Sequence, residues 1–285
     1  MLLTALALAT ASVIGYSLIS IYIGRVAKRL GAFWTSFAIQ TTGLPLNALL
    51  IPFFGLNLSL NIYLAAIATF GIVVSFNFIL YSKVLSIGPP SVVQAIIRIG
   101  NIITFLLAVI FLNEKITLLK LSGGATVIIG AIFASLDIEK LLKKNIKTLT
   151  AAVPLSLLQA AIGGINFFIL SLGTKHFDGF SASLGVRFFV VSIYLPLALF
   201  MPKSKIAITN FWKVFLFIAA GDVLSFIAYN KAIEIYEVSF VTVIFSTIPA
   251  ATAVISALLF KEKLKFFQKL GILLVVLGTI GLSLG

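Results

Sequence analysis

Ten stretches of this chain, each roughly 20 residues long, consist almost entirely of Leu, Ile, Val, Ala and Phe, with short polar breaks between them. A helix needs about 20 apolar residues to cross the hydrocarbon of a bilayer. Inside hydrocarbon every backbone N–H and C=O must be satisfied within the protein, so only helices or a closed barrel can span it. Barrel strands alternate apolar and polar residues over about ten positions. These runs are continuous instead. The expected fold is therefore an all-α integral membrane protein with ten transmembrane helices, at 2–23, 33–53, 61–82, 89–112, 117–136, 149–172, 179–200, 210–231, 238–260 and 265–284.

Composition removes most other readings. Charged residues make up 10% of the chain, against about 25% in a soluble domain, and the mean hydropathy is +1.19. The formal net charge is +13. Its cations fall in short loops, which reads as anchoring to anionic lipid rather than as a nucleic-acid surface. There is no cysteine, which excludes disulfides and thiolate metal sites. The one histidine, His176, falls in an expected loop, too few ligands for a His-based metal site. No Gly-rich phosphate loop is followed by Lys-Ser/Thr, so ATP hydrolysis is not expected. No nucleophile stands beside a base, no enzyme is expected, and no cofactor is required. The opening MLLTALALATAS has small residues like those of a cleavable signal, but it lacks a basic start and its apolar run continues to Ile23. It reads as a retained first span.

The chain repeats itself. Shifted by 148 residues, YSKVLSIGPPSVVQAIIRIGNIITFLLAVIFLNEK lies without a gap on YNKAIEIYEVSFVTVIFSTIPAATAVISALLFKEK. Tyr81 meets Tyr229, Lys83 meets Lys231, Ser91 meets Ser239, Glu114 meets Glu262 and Lys115 meets Lys263. Gly123 meets Gly271, and Gly130 meets Gly278. Aliphatic matches between membrane helices come cheaply, but these polar and glycine matches in one register do not. The expected units are residues 1–136 and 149–285, five spans each, joined by a connecting loop at 137–148. Five is odd, so the second unit enters the membrane from the opposite side. Such inverted repeats are the architecture of alternating-access transporters.

The carrying residues are NEKITLLKLSGGATVIIG and KEKLKFFQKLGILLVVLG, with Arg187 in the seventh span and Pro249 in the ninth. A span, then Glu-Lys, then a turn, then Gly-x6-Gly, occurring twice, resembles the EamA-type repeat of the drug/metabolite transporter superfamily. The resemblance covers nearly the whole chain. It implies a ten-helix transporter of small polar metabolites, often an exporter, handling amino acids, nucleotide sugars or phosphorylated sugars. Two positions depart from the family pattern. Arg98 stands where relatives carry a small or aliphatic residue, and Asn101 where they often carry proline. Ser246 and Pro249, at the same register in the second repeat, keep the ordinary pattern.

Polar side chains inside spans locate the candidate site. Gln94, Arg98 and Asn101 lie one helical turn apart on one face of span 4. An arginine at mid-bilayer costs about 2.5–3.5 kcal/mol on insertion scales, so it must face a partner, the bundle interior or a wet cavity. Three ionisable side chains lie well inside spans: Arg98, Arg187 and Asp222. Asp222 and Tyr229 share a face of span 8 with Ser225; Gln159 and Asn166 share one of span 6. Gln40 in span 2, Asn77 in span 3 and Tyr16 in span 1 complete the set of substrate-binding candidates. Each has a second, structural reading. Asp222 either neutralises an arginine or receives a substrate amine, and the amides are either interhelical hydrogen bonds or site residues. Glu114 and Glu262 read as loop ion pairs and caps, and the seven-residue glycine spacing as close helix packing in spans 5 and 10.

The function read from these residues is secondary transport of small polar metabolites, with amino acids and related anions favoured, by alternating access at a midplane cavity. An exporter or exchanger is the preferred form; a channel-like facilitator and, less readily, an intramembrane enzyme are the alternatives. The expected partners are a small-molecule substrate, a counter-ion or counter-substrate, and the lipid bilayer of a prokaryotic cell membrane; nucleic acid is not expected, and the chain would act as a monomer or homodimer. Apart from Arg98 and Arg187, fifteen Lys/Arg fall in loops after odd-numbered spans, among them Arg25, Lys28, Arg29, Lys83, Lys140, Lys143, Lys144, Lys147, Lys203, Lys205 and Lys263, and four after even-numbered spans: Lys115, Lys120, Lys175 and Lys231. The positive-inside rule puts the fifteen in the cytoplasm and both termini outside. A reporter fused to the C-terminus should accordingly be active when it needs the extracytoplasmic side; activity confined to a cytoplasmic reporter would reverse the topology.

Overall fold

The computed structural model describes residues 1–88, 90–135, 146–202, 208–261 and 264–284, and in these the chain is helical throughout, without strands. The helices are α1 (Leu2–Leu30), α2 (Ala32–Ala48), the single turn α3 (Ile51–Phe54), α4 (Ile62–Ile87), α5 (Pro90–Arg98), α6 (Gly100–Phe111), α7 (Leu118–Ser135), α8 (Ile146–His176), α9 (Gly179–Phe200), α10 (Trp212–Ile235), α11 (Val238–Phe245), α12 (Ile248–Phe260) and α13 (Phe266–Leu284). Eight segments among the described residues are long and apolar enough to cross a membrane. The shorter apolar helix α7 and the 17-residue α2, at the positions of spans 5 and 2, bring the count to the ten helices expected from the sequence. Large side chains such as Ile110, Phe188, Leu199 and Leu277 are exposed on the outer face, as expected where the solvent is lipid.

Several expected boundaries move. α1 runs on to Leu30 and carries Arg25, Lys28 and Arg29 on its last two turns. α4 continues to Ile87 with Lys83, and α10 to Ile235 with Lys231. These cations sit on helix ends rather than in loops, because a helix that leaves the hydrocarbon continues while its residues are good helix formers. His176, expected in a loop, is the last residue of α8, where its ring stacks on Tyr63 at 3.9 Å. Ile146 and Lys147, expected in the connecting loop, are helical at the start of α8, and residues 136–145 lie outside the described residues. Lys140, Lys143, Lys144, Lys203, Lys205, Glu262 and Lys263 lie outside the described residues.

Spans 4 and 9 are each interrupted. The first breaks at Ile99, between α5 and α6, and the second at Ser246–Thr247, between α11 and α12. The breaks fall at equivalent positions of the 148-residue register. At both, bonds tighten to three-residue spacing: Ile99 N donates to Ile96 O (3.1 Å) and Thr247 N to Ile244 O (3.0 Å). In the second repeat the cause is Pro249, which has no N–H to offer Phe245 and whose ring crowds that carbonyl. Glu114 of the Glu-Lys motif caps the start of α11 instead of staying in its own loop. Its carboxylate accepts from Val238 N (2.7 Å) and Ser239 N (2.9 Å). A negative charge there satisfies two orphan donors and complements the helix dipole.

The two repeats interlock. α1 packs along α10, α4 along α8, and α6 also against α8. The seam between α7 and α13 joins span 5 to span 10, and there the repeated glycines pair crosswise. A Cβ on Gly123 would lie 2.9 Å from Gly278 O, and one on Gly130 2.7 Å from Gly271 O. Two helices therefore touch backbone to backbone, the packing that substitutes for a hydrophobic driving force inside a membrane. Gly124, one residue on, is different: a Cβ there would meet only Val243, at 3.5 Å. Gly124→Ala should accordingly be tolerated, while Gly130→Ala should cost about 1–3 kcal/mol through overpacking, read as a lower unfolding midpoint in detergent.

Candidate functional site

Spans 1, 2, 3, 4, 6, 7, 8 and 9 enclose a central cavity of about 110 Å³, room for several waters or a small metabolite. Eight of the eleven sequence candidates line it: Tyr16, Gln40, Asn77, Arg98, Asn101, Gln159, Arg187 and Asp222. The rest of its wall is mainly apolar, with Phe70, Phe78, Phe167, Phe226 and Phe245 prominent. The sequence pointed to a polar cavity. The structure has an aromatic one with a few fixed polar groups.

Two arginines reach this cavity in different electrostatic states. Arg187 Nη2 donates to Asp222 Oδ2 at 2.6 Å, and Nη1 donates to Gln40 Oε1 at 2.9 Å. Gly43 makes the space, since a Cβ there would run into the guanidinium. Asp222 is thus taken by Arg187. Arg98 has no ion pair among the described residues. Its guanidinium lies 4.4 Å over the ring centroid of Phe245, a cation–π contact that offsets part of its desolvation. Nη2 donates to Gln94 Oε1 at 3.3 Å, and Gln94 Nε2 donates to Tyr81 OH at 2.5 Å. Gln94 is wholly buried and does not line the cavity; it positions the arginine from behind.

Four buried polar atoms on lining residues have no protein partner: Arg98 Nε, Arg187 Nε, Asn77 Oδ1 and Gln159 Oε1. Buried polar groups are ordinarily satisfied, so the set favours a polar ligand or water here. Asn101 joins the repeats, donating from Nδ2 to Ser246 Oγ at 2.9 Å and to Thr242 O at 3.4 Å. Its bond runs from the start of α6 to the break after α11, beside both interruptions.

Besides Gln94, two candidates stand outside the cavity. Asn166 donates to Phe70 O at 3.2 Å and ties α8 to α4. Tyr229 is buried against Phe167 and Phe245, with centroids 5.5 and 4.5 Å away. Sequence reading missed Tyr81, Phe245 and Gly43. Tyr81 was visible only as a repeat match, and an aromatic or a glycine in an apolar span carries no signal of its own.

Breaking the Arg187–Asp222 pair leaves one charge buried without its partner, a loss of roughly 3–5 kcal/mol. Arg187→Gln and Asp222→Asn should each destabilise the folded protein on that scale. The double variant should cost clearly less than the two together. Additive losses in denaturation of the purified variants would show that the two side chains do not work as a pair.

Comparison with known proteins agrees with this architecture. A solved crystal structure superposes with a TM-score of 0.76 at 10% identity, covering 98% of this chain and 96% of that one, a likeness of fold. No curated protein matches the chain. The model of the EamA-like transporter family matches twice, at residues 3–136 and 150–284, and with both repeats matched the chain belongs to the EamA-like transporter family, membrane transporters of the drug/metabolite transporter superfamily.

Proposed function

We propose that this transporter is a secondary carrier for amino acids and related small carboxylates, acting as an exporter or exchanger. The observation that carries the reading is Arg98, a buried cation on the cavity wall without a carboxylate among the described residues. Arginine stays protonated even when partly desolvated. Its guanidinium can hold an oxyanion through two parallel hydrogen bonds. With Asp222 committed to Arg187, the buried charge around the cavity sums to +1, and one substrate anion neutralises it. Asn77 and Gln159 supply acceptors for an ammonium group, and the phenylalanine wall favours an apolar side chain over a polyol or sugar phosphate.

Movement follows from the interlocked packing. The sequence halves do not make natural rigid bodies, because α1 is held to α10 and α4 to α8. The rocking units of this proposal therefore mix the repeats, with spans 1, 2, 8 and 9 turning against spans 3, 4, 6 and 7 about the cavity, and α7 and α13 as the outer brace. The repeats 1–136 and 149–285 remain the inherited units, and both termini are assigned to the outside of a prokaryotic plasma membrane.

Uptake and counterflow in proteoliposomes test the function. Saturable flux of a labelled amino acid, accelerated by the same solute on the far side, is expected. Linear flux without counterflow would favour a channel, and product formation in detergent an enzyme. Arg98→Gln should abolish carboxylate-driven counterflow, a loss of at least about 100-fold on the scale of a charged hydrogen-bonded contact, in protein that still folds. Normal transport by that variant would remove Arg98 from the site.

A further inference from the structure

A second pocket, of about 420 Å³, lies where the end of α1 meets the start of α10, beyond the mid-helix Tyr16 and Asp222. Its wall has two halves. Arg25, Lys28 and Arg29 on the last two turns of α1 supply three exposed cations. Tyr22 and Val26 of α1, with Phe211 and Val214 at the start of α10, supply an apolar side. Arg25 and Val26 lie three and four residues after Tyr22, and Arg29 lies four and three residues after them, so cations and apolar groups share one helix face. No carboxylate lines the pocket among the described residues.

The chain's two tryptophans mark its depth. Trp34 sits one turn into α2, just after α1 ends, and donates from Nε1 to Pro202 O at 2.8 Å. Trp212 opens α10 and is 59% exposed, with the Lys213 ammonium 5.5 Å over its ring. Tryptophan concentrates at the headgroup level of a bilayer. A pocket there with cations on one side and apolar groups on the other matches a molecule with an anionic head and a hydrocarbon body.

We propose that this pocket binds an anionic phospholipid, its phosphodiester held by Arg25, Lys28 and Arg29 and its acyl chains laid along Tyr22, Phe211 and Val214. Free phosphate offers the same head but leaves the apolar side uncovered, so the lipid is the occupant assigned. The site ties α1 to α10, which line the central cavity further along. Lipid composition would then bear on transport through this pair, independently of what the central cavity carries.

Neither tryptophan lines the pocket, but Trp34 packs in one apolar cluster with Tyr22, Phe211 and Val214, and Trp212 follows Phe211 in the chain, so the full chain reports its own occupancy. In phosphatidylcholine vesicles, brominated phosphatidylglycerol should quench tryptophan fluorescence at a mole fraction roughly fivefold lower than brominated phosphatidylcholine, the worth of about one basic side chain at a membrane surface. Arg25→Gln with Arg29→Gln should abolish that preference, whereas Lys83→Gln with Lys269→Gln, exposed cations elsewhere, should keep it. Equal quenching by the two lipids overturns the proposal, and so does equal loss in the control pair, which would reveal only a diffuse surface field. Loss of the preference on adding millimolar inorganic phosphate at constant ionic strength reassigns the pocket to free phosphate and overturns the lipid. If the Arg25/Arg29 variant does not fold, the two lipids on the unaltered chain decide.

Discussion

A charge in hydrocarbon has nowhere to go unless the protein provides for it, and three such charges organise this molecule. Arg187 and Asp222 solve the problem between themselves at 2.6 Å, with Gln40 taking a second guanidinium N–H. That commitment fixes spans 2, 7 and 8 around one point. It also determines the state of Arg98, which is left with an aromatic ring and an amide as its nearest support. In the proposed function, neutralising the pair and exposing the third cation is what would turn a helical bundle into a receptor for an anion. The apolar wall strengthens the effect, because electrostatic attraction grows as water is excluded.

The repeats explain why such a site forms at the centre. Interrupted spans 4 and 9 meet there, each broken at the same place in the repeat. Asn101, the register partner of Pro249, uses its side chain to reach Ser246, the register partner of Arg98. The repeat therefore supplies the symmetric frame, and two departures from it, Arg98 against Ser246 and Asn101 against Pro249, place polar side chains at its centre. Away from the centre the symmetry is kept: Gly123 and Gly130 face Gly278 and Gly271 across the α7–α13 seam.

Much of this was legible in the residues. Continuous apolar runs revealed the spans because the bilayer demands a fixed length of them. The Glu-Lys, Tyr-x-Lys and glycine matches revealed the repeat. Polar side chains in apolar surroundings revealed most of the cavity, since their placement is too costly to be incidental. What stayed hidden depends on tertiary contact. Nothing local says whether Asp222 turns to Arg98 or Arg187. Nothing local separates Asn166, spent on a backbone carbonyl of α4, from Asn77, on the cavity wall. The break at Ile99 has no proline after it to announce it, and Glu114 caps a helix 124 residues away along the chain.

The central claim is that one fixed cation in an aromatic cavity selects for a carboxylate. Competition against counterflow of an apolar amino acid tests it most directly, using the unlabelled acid, its amide and the corresponding amine as competitors. All three share the apolar body and the ammonium group; only the acid carries the anion. The account predicts that the acid competes and that the amide and amine do not at similar concentrations. Equal competition by the amine would contradict it, because the cavity would then be reading the apolar body and not the charge that Arg98 awaits.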